Sequence, residues 1–484
     1  MHIWLLYSDV RDHTLLATPV SAPRASFYGE TMVQIKLENS VAEFFELDDS
    51  PLPITPKIFI SYNPISERNL ATMLPRNTKY LIQQWRASGK DDLSPIINLI
   101  LMPQRMSWVM GNMAVVFFKD GDEAFQGVEE DLLETLNVLN PASRFVPRFC
   151  TSIPHIQASV CDSLVIPYLP SDGLDNLLHH IDPNIHYELL SKRGLALSGL
   201  PTPRSEVLDF ERPQHGWDST ALNGEITRTI NAIRGMVPPF VLKSNSSGGS
   251  KGVYIIHTTS DQGDLERDID SLHRSELSKL SPENAHLHPC TLILVEWLPG
   301  VAYCLNFYVQ RDGTPRFVCC CEQNFSEAGH WLGGIITYSM QIGLASHFDQ
   351  IIQKTASFLH SRGYRGPVGI DVMEDEARGH LVVDLNPRPT GSFVLGCLRH
   401  HFVEELGMDT SCVLPYMEFF ATRTEFTTAF ANELLQGSII ILAWWSDPRS
   451  SHSWVCVAVG SKERALLSTI CERIVEWVRE RNPH

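Results

Sequence analysis

Three tracts of this 484-residue chain combine residue types that can hold phosphate, a metal ion and a transferring group. The densest is VGIDVMEDEARGHLVVDLNPRPTGS, residues 368–392. Its two apolar runs read as strands flanking a polar turn, so Asp371 and Asp384, thirteen residues apart, can sit opposite each other. A period of two then puts Asp384, Asn386 and Arg388 on one face of the second strand. Two carboxylates and an amide oxygen are the hard donors that Mg2+ takes while sharing phosphate oxygens. A guanidinium beside them suits a transferring phosphoryl group or an acyl phosphate. The bland alternative is an acidic hairpin with a solvated face. Acids embedded in VGIDVM and LVVDLN argue against it, because buried charges need partners.

The second tract, PFVLKSNSSGGSKGVYII (239–256), places Lys243 at the end of a strand beside a loop holding Ser247, Gly248, Gly249 and Gly252. A cation and close-approaching backbone N–H groups would serve a polyphosphate, but a glycine-rich hairpin with a surface lysine has the same sequence. It is not a Walker loop, since no GK is followed by Ser or Thr and a strand follows the glycines. The third tract, LILVEWLPG (292–300), runs an apolar strand into Glu296, Trp297, Leu298 and a Pro-Gly turn. Its backbone could pair with an adenine edge; a buried strand ending in a turn is the simpler reading.

These tracts need elements to hold them. In the first 180 residues KIFISY (57–62), NLILMP (98–103), MAVVFF (113–118) and LVIPYLP (164–170) read as strands, with helical spacing over 69–88 and 122–139. That pattern favours a mostly parallel sheet covered by helices. A helix over 187–200 ends at Gly199, before the breaker Pro201-Thr202-Pro203, and another spans about 221–236. From Leu292 to Gly391 the pattern is largely β, with turns near Asp312/Gly313 and Gly379 and one helix around 347–362. The end of the chain mixes helix near Glu404 and Leu406, the apolar runs SIIILAWW and SWVCVAVG, and an amphipathic helix over 462–481.

Composition narrows the class. The chain is 43% hydrophobic and 20% charged, enough apolar content for several cores. A formal charge of −17 excludes a general nucleic-acid binder and requires that any anion be met by a local positive cluster. No apolar run reaches membrane length and the opening residues lack a secretory signal, so no membrane partner and a cytoplasmic location are expected. Eleven cysteines, with a trio at Cys319, Cys320 and Cys321, show no CxxC spacing and are expected to be buried thiols.

Lys243 with its Ser/Gly loop, then VEWLPG, then GIDVM with DLNPR, in that order, resembles the ATP-grasp superfamily over roughly residues 185–395. The resemblance implies a multidomain chain of α/β and α+β parts. Residues 1–184 would be an N-terminal α/β (pre-ATP-grasp) domain, 185–290 and 291–395 the two halves of the ATP-grasp fold, and 396–484 a small C-terminal α+β appendage. It further implies that Lys243 and the 244–252 loop bind ATP phosphates, and that the Glu296, Trp297 and Leu298 segment holds adenine. Asp371, Asp384 and Asn386 would ligate Mg2+ or Mn2+, and Arg388 would steady the phosphoryl group. The activity implied is an ATP-dependent carboxylate-amine ligase acting on a small acid and a small amine through an acyl phosphate. The alternatives are a small-molecule kinase and a non-catalytic nucleotide-binding regulator. A homodimer is the default assembly.

Several positions depart from the family pattern. The second metal carboxylate is usually Glu, whereas Asp384 is one methylene shorter. The acid that often binds ribose is missing, with Val301, Ala302 and Tyr303 in its place. The second phosphate lysine would be Lys192, yet it stands only seven residues before Gly199, and Lys192 and Arg193 could equally solvate a helix. The tract CCCEQNFSEAGHWLGG (319–334) offers Glu322, Gln323, His330 and Trp331 as an acceptor pocket or as a plain structural loop. Taken together the tracts are reminiscent of peptide ligases of secondary metabolism.

Overall fold

The computed structural model describes residues 34–49, 57–61, 78–83, 97–119, 123–213, 216–247, 252–326 and 331–482. Near-continuous apolar runs are what a strand needs when helices or other layers cover both of its faces. Lys57–Ile60 (β1), Ala114–Phe118 (β2) and Leu164–Pro167 (β4) are such runs, and with the partly exposed edge strand Val146–Cys150 (β3) they form a parallel sheet in the order β3-β2-β1-β4.

NLILMP is not a strand. Residues Ile97–Leu101 make a π-helical turn that runs into a helix over Met102–Ser107, buried at every position. A short run that is apolar on all sides carries no period to separate strand from buried helix. The neighbouring sheet decides: Gln104 donates to the Trp444 carbonyl at 2.9 Å and accepts from its amide at 3.0 Å, and Trp108 Nε1 donates to the Leu442 carbonyl at 2.8 Å. The helix expected over 69–88 falls mostly outside the described residues, and the described part, 78–83, is not helical. That expected over 122–139 is realised as Val128–Leu136.

The single helix expected over 187–200 is two short ones, Pro183–Leu190 and Lys192–Ala196. Ser191 adopts extended φ/ψ between them, and its hydroxyl accepts from the Gly194 amide at 2.8 Å, capping the second helix. Beyond this break Ser205–Leu208 (β5), Phe240–Ser244 (β6), Val253–Ile256 (β7) and Leu292–Glu296 (β8) form an antiparallel sheet in the order β5-β8-β6-β7. Helices Ser219–Gly235 and Thr259–Leu277 share its core through Ile226, Ile233, Leu265 and Ile269.

The third sheet has eight strands: Tyr303–Val309 (β9), Pro315–Phe325 (β10), Trp331–Thr337 (β11), Gly366–Asp375 (β12), Gly379–Asn386 (β13), Thr410–Phe420 (β14), Ile439–Ser446 (β15) and His452–Ser461 (β16). Their order is β13-β12-β9-β10-β11-β14-β16-β15. The C-terminal α+β segment therefore extends this sheet, since β14 pairs with β11 and carries β16 and β15 beyond it. Helix Asp349–Ser361 buries Ile351, Ile352, Ala356 and Leu359 in the core that includes Phe307 and Ile370, and helix Arg464–Arg479 shares the core of β14 to β16. All eleven cysteines are free, and all but Cys161 are buried. Among the described residues no helix is long and apolar enough to cross a membrane.

Candidate active site

The hairpin β12–β13 sets Asp371 directly opposite Asp384. Immediately beyond this pair the register shifts, because Val372 pairs with Val382 and Val383 is an extra residue. Such a bulge re-aims neighbouring groups. Here it presents the Val383 carbonyl to Lys243, whose Nζ donates to it at 2.8 Å from the end of β6. Lys192 forms an ion pair with Asp384 Oδ1. Asp384 Oδ2 accepts from Asn386 Nδ2 at 3.2 Å, and Asn386 Oδ1 accepts from Arg388 Nη2 at 2.9 Å. Lys192, Asp384, Asn386 and Arg388 thus form one bonded chain, with Asp371 opposite Asp384 across the hairpin and Lys243 held to the bulge beside it.

The break at Ser191 is what brings Lys192 there. Its amide donates to the Asn245 carbonyl at 2.8 Å, and the Arg193 amide donates to Asn245 Oδ1 at 2.9 Å, so the start of the short helix is tied to the end of β6. Lys192 is buried and turned to the hairpin, while Arg193 turns away to Asp209, with Nε and Nη2 bonds of 2.8 Å. Of the two readings of this pair, the helix-solvating one fails for Lys192.

The electrostatics follow from two acids and two ammonium groups held close together. Burial and the facing Asp384 carboxylate push Asp371 up to about 7. Burial would raise Asp384 too, but Lys192 and Lys243 outweigh it and hold that acid below its ordinary range. Lys243 is lowered by burial, with Lys192 adding to the effect. The donor set fits a divalent cation: paired carboxylates flanked by an amide, all oxygen donors, with the more basic acid stabilised as its anion by any added positive charge.

Arg388 is positioned by a residue from the N-terminal sheet. The Tyr168 ring lies 4.6 Å beneath its guanidinium carbon, and the Tyr168 hydroxyl accepts from Nη1 at 2.5 Å. The loop that follows is fastened by Asn306 on β9, whose Oδ1 accepts from the Thr390 hydroxyl at 2.6 Å and whose Nδ2 donates to the Ser392 hydroxyl at 3.3 Å. Gly369 lets this happen, since a Cβ there would meet the Thr390 methyl at 2.0 Å. Neither Tyr168 nor Asn306 was singled out from the sequence. An asparagine inside the apolar run YCLNFYV was the available signal.

The other predicted residues divide. Gly252 has φ +77°, and a Cβ on it would fall 2.0 Å from the Ser244 hydroxyl, so only glycine closes the loop after β6. Ser247 lies beside it, and Gly248 and Gly249 fall outside the described residues. At the end of β8 the Glu296 amide is taken by the Arg204 carbonyl at 2.9 Å, and its carboxylate accepts from the Arg204 amide and from Arg378 of the β12–β13 turn. Trp297 meets His257 edge to face, and Leu298 follows in the turn toward Pro299 and Gly300. In the 319–334 tract Gln323 accepts from Trp331 Nε1, and the Trp331 ring reaches Gly391 near Arg388. Glu322 instead pairs with Arg464 of the C-terminal helix at 2.6 and 2.8 Å, and His330 lies outside the described residues.

Residues 227–392 match the family model for an ATP-grasp domain. This chain carries an ATP-grasp domain. No curated protein matches its sequence. Among solved structures it is similar to the ADP complex of an N5-carboxyaminoimidazole ribonucleotide synthetase, at 10% identity over 93% of this chain and 100% of that one, with a TM-score of 0.48. It is similar also to an L-amino acid ligase from Bacillus licheniformis, at 11% identity over 88% and 98% of the two chains and a TM-score of 0.49. A third is the biotin carboxylase domain of the Hydrogenobacter thermophilus 2-oxoglutarate carboxylase, at 9% identity over 85% and 87% and a TM-score of 0.44. The matched ATP-grasp segment contains Lys243, the turn after β8 and the whole β12–β13 hairpin, and Lys192, Tyr168 and the C-terminal strands lie outside it.

Proposed function

We propose that the chain is an ATP-dependent carboxylate-amine ligase, releasing ADP and phosphate. The observation that carries this reading is the convergence of Lys192 and Lys243 on the Asp371/Asp384 hairpin, with Asn386 linking Asp384 to Arg388. Two ammonium groups and a guanidinium around an oxygen-donor set suit a triphosphate and an acid that must meet it. In a chain of net charge −17 such a local positive cluster has a purpose. Asp371, Asp384 and Asn386 would hold Mg2+, which when bound neutralises phosphate charge. Lys192 and Lys243 would carry the phosphates, and backbone groups of Glu296 and Leu298 the adenine.

In the proposed reaction a carboxylate oxygen attacks the γ-phosphorus, the bond from that phosphorus to the β,γ-bridging oxygen breaks, and ADP leaves. The amine nitrogen then attacks the carbonyl carbon of the acyl phosphate, the carbon–oxygen bond to phosphate breaks, and the amine gives up a proton. The protein supplies position and field rather than a nucleophile. Arg388, clamped between the Tyr168 ring and Asn386 Oδ1, offers a planar fork fixed before the substrate arrives. The test is turnover of purified protein with Mg-ATP and pools of amino acids and small carboxylic acids, read as ADP, phosphate and a new amide mass. AMP with pyrophosphate would sink the acyl-phosphate route, and a phosphorylated acid with no amide would make the chain a kinase.

A further inference from the structure

Arg105 is a buried cation that the proposed chemistry does not use. It sits on the helix Met102–Ser107, 7% exposed, and the Gln104 and Trp108 bonds to β15 leave that helix no freedom to turn it out. Its guanidinium carbon lies 4.7 Å from the centre of the Tyr416 ring and 5.2 Å from that of Trp331. Its Nε and Nη1 are buried without a hydrogen-bond partner among the described residues, and so is the Tyr416 hydroxyl. Its polar neighbour is the Cys456 thiol, which burial pushes up to about 11, so it supplies no counter-charge at neutral pH.

A guanidinium does not deprotonate in a protein, and aromatic faces offset only part of the cost of burying it. Two donor nitrogens and a phenol hydroxyl, buried close together with no partner among the described residues, are what an anion with several acceptor oxygens would satisfy. The place is significant as well. Trp331 reaches from Arg105 to Gly391, and Tyr168, which binds Arg388, also acts electrostatically on both Arg105 and Tyr416. The orphaned groups therefore lie one aromatic side chain away from Arg388 and its loop, with Trp331 and Tyr168 between them.

We infer that Arg105 and Tyr416 form a binding site for a substrate carboxylate other than the one that is activated. The group comes either from the far end of the acid or from the amine when that amine is an amino acid. The inference rests on the ligase reading for its place in a reaction, but the site can be tested by binding alone. In calorimetric titrations of the full chain with MgADP present, glutarate supplies the first source and L-alanine the second. Glutaramate and L-alaninamide are their counterparts with one carboxylate removed, and inorganic phosphate serves as the rival anion. Glutarate or L-alanine is expected to bind at least tenfold more tightly than its counterpart. Arg105→Gln should erase that preference while leaving MgADP affinity intact. Tyr416→Phe, which removes only a hydroxyl, should weaken the same ligand severalfold and keeps the test open if Arg105→Gln does not fold. An undiminished preference in folded Arg105→Gln, tighter binding of phosphate than of either carboxylate, or no binding of either carboxylate would overturn the site. Absence of amide product in the turnover assay would instead remove the ligase reading and leave this measurement standing.

Discussion

Asp371 and Asp384 face each other across β12 and β13 as a directly paired couple, and the environment drives their proton affinities apart, raising Asp371 to about 7 and lowering Asp384. The raised acid binds a proton in the folded chain that it would not bind unfolded, so its contribution to stability falls as pH rises from about 4 to 7. Asp371→Asn removes that penalty. The variant should be more stable than the parent at pH 8 by up to about 4 kcal/mol, with the gain shrinking at pH 5, while ADP formation drops by at least about 100-fold. Urea unfolding at the two pH values, together with an ADP assay, decides; an equal gain at both would show that Asp371 is ionised throughout.

Lys192 carries the second prediction. Lys192→Met leaves Asp384 with Lys243 as its remaining ammonium neighbour, which should cost about 2 kcal/mol of stability and raise the ATP requirement about tenfold or more. Arg193→Met, one residue on, breaks a pair with Asp209 on the other side of the short helix and should leave the ATP requirement near its parent value. Equal effects from the two substitutions would return Lys192 to the role of a structural residue.

How much of this was readable beforehand depends on how locally each feature is encoded. Asp371, Asp384, Asn386 and Arg388 lie within one hairpin, so alternation and a turn suffice to bring them together. Lys192 required knowing that Ser191 ends one helix and caps the next, a break hidden in a sequence that otherwise reads as continuous helix. Tyr168 and Arg105 reach the site from the N-terminal domain, across separations that no periodicity reports. NLILMP is read wrongly because it is a short apolar run leading into a helix that is buried on every side, and the helix Thr259–Leu277 is missed because Leu265 and Ile269 are diluted among charges. The extension of the sheet by β14 to β16 depends on an edge that exists only after β11 is in place.

Tyr168 supports Arg388 in two separable ways, by its ring and by its hydroxyl. Tyr168→Phe keeps the ring and loses one charge-assisted bond, so kcat/KM for the acid should fall about tenfold. Tyr168→Leu loses the stacking as well and should fall further, by roughly another factor of five. Steady-state kinetics with the acid identified in the turnover screen would show this order. Phe and Leu variants of equal activity would mean that the ring does not hold the guanidinium.

Acid should destabilise the chain through buried imidazoles. Burial holds His186 neutral, with a pKa near 4, although its bond to the Pro387 carbonyl at 3.0 Å partly opposes the shift. Burial lowers His273 to about 3, and His180 is lowered well below its ordinary value. In the unfolded chain each takes up a proton near pH 6.5. The unfolded state thus binds more protons from about pH 6.5 downwards, and stability falls as pH drops, the His186 share levelling off near pH 4 and the His273 share near pH 3. For His186 alone the loss at pH 5 relative to pH 7 is about 2 kcal/mol. His186→Gln keeps a side-chain donor for the Pro387 carbonyl but has no proton to gain. Urea unfolding at pH 7 and pH 5 should therefore show a pH-dependent loss about 2 kcal/mol smaller in this variant than in the parent. An unchanged loss would mean that His186 finds a route to water, and that the Pro387–Arg388 turn it supports is less sealed than its burial implies.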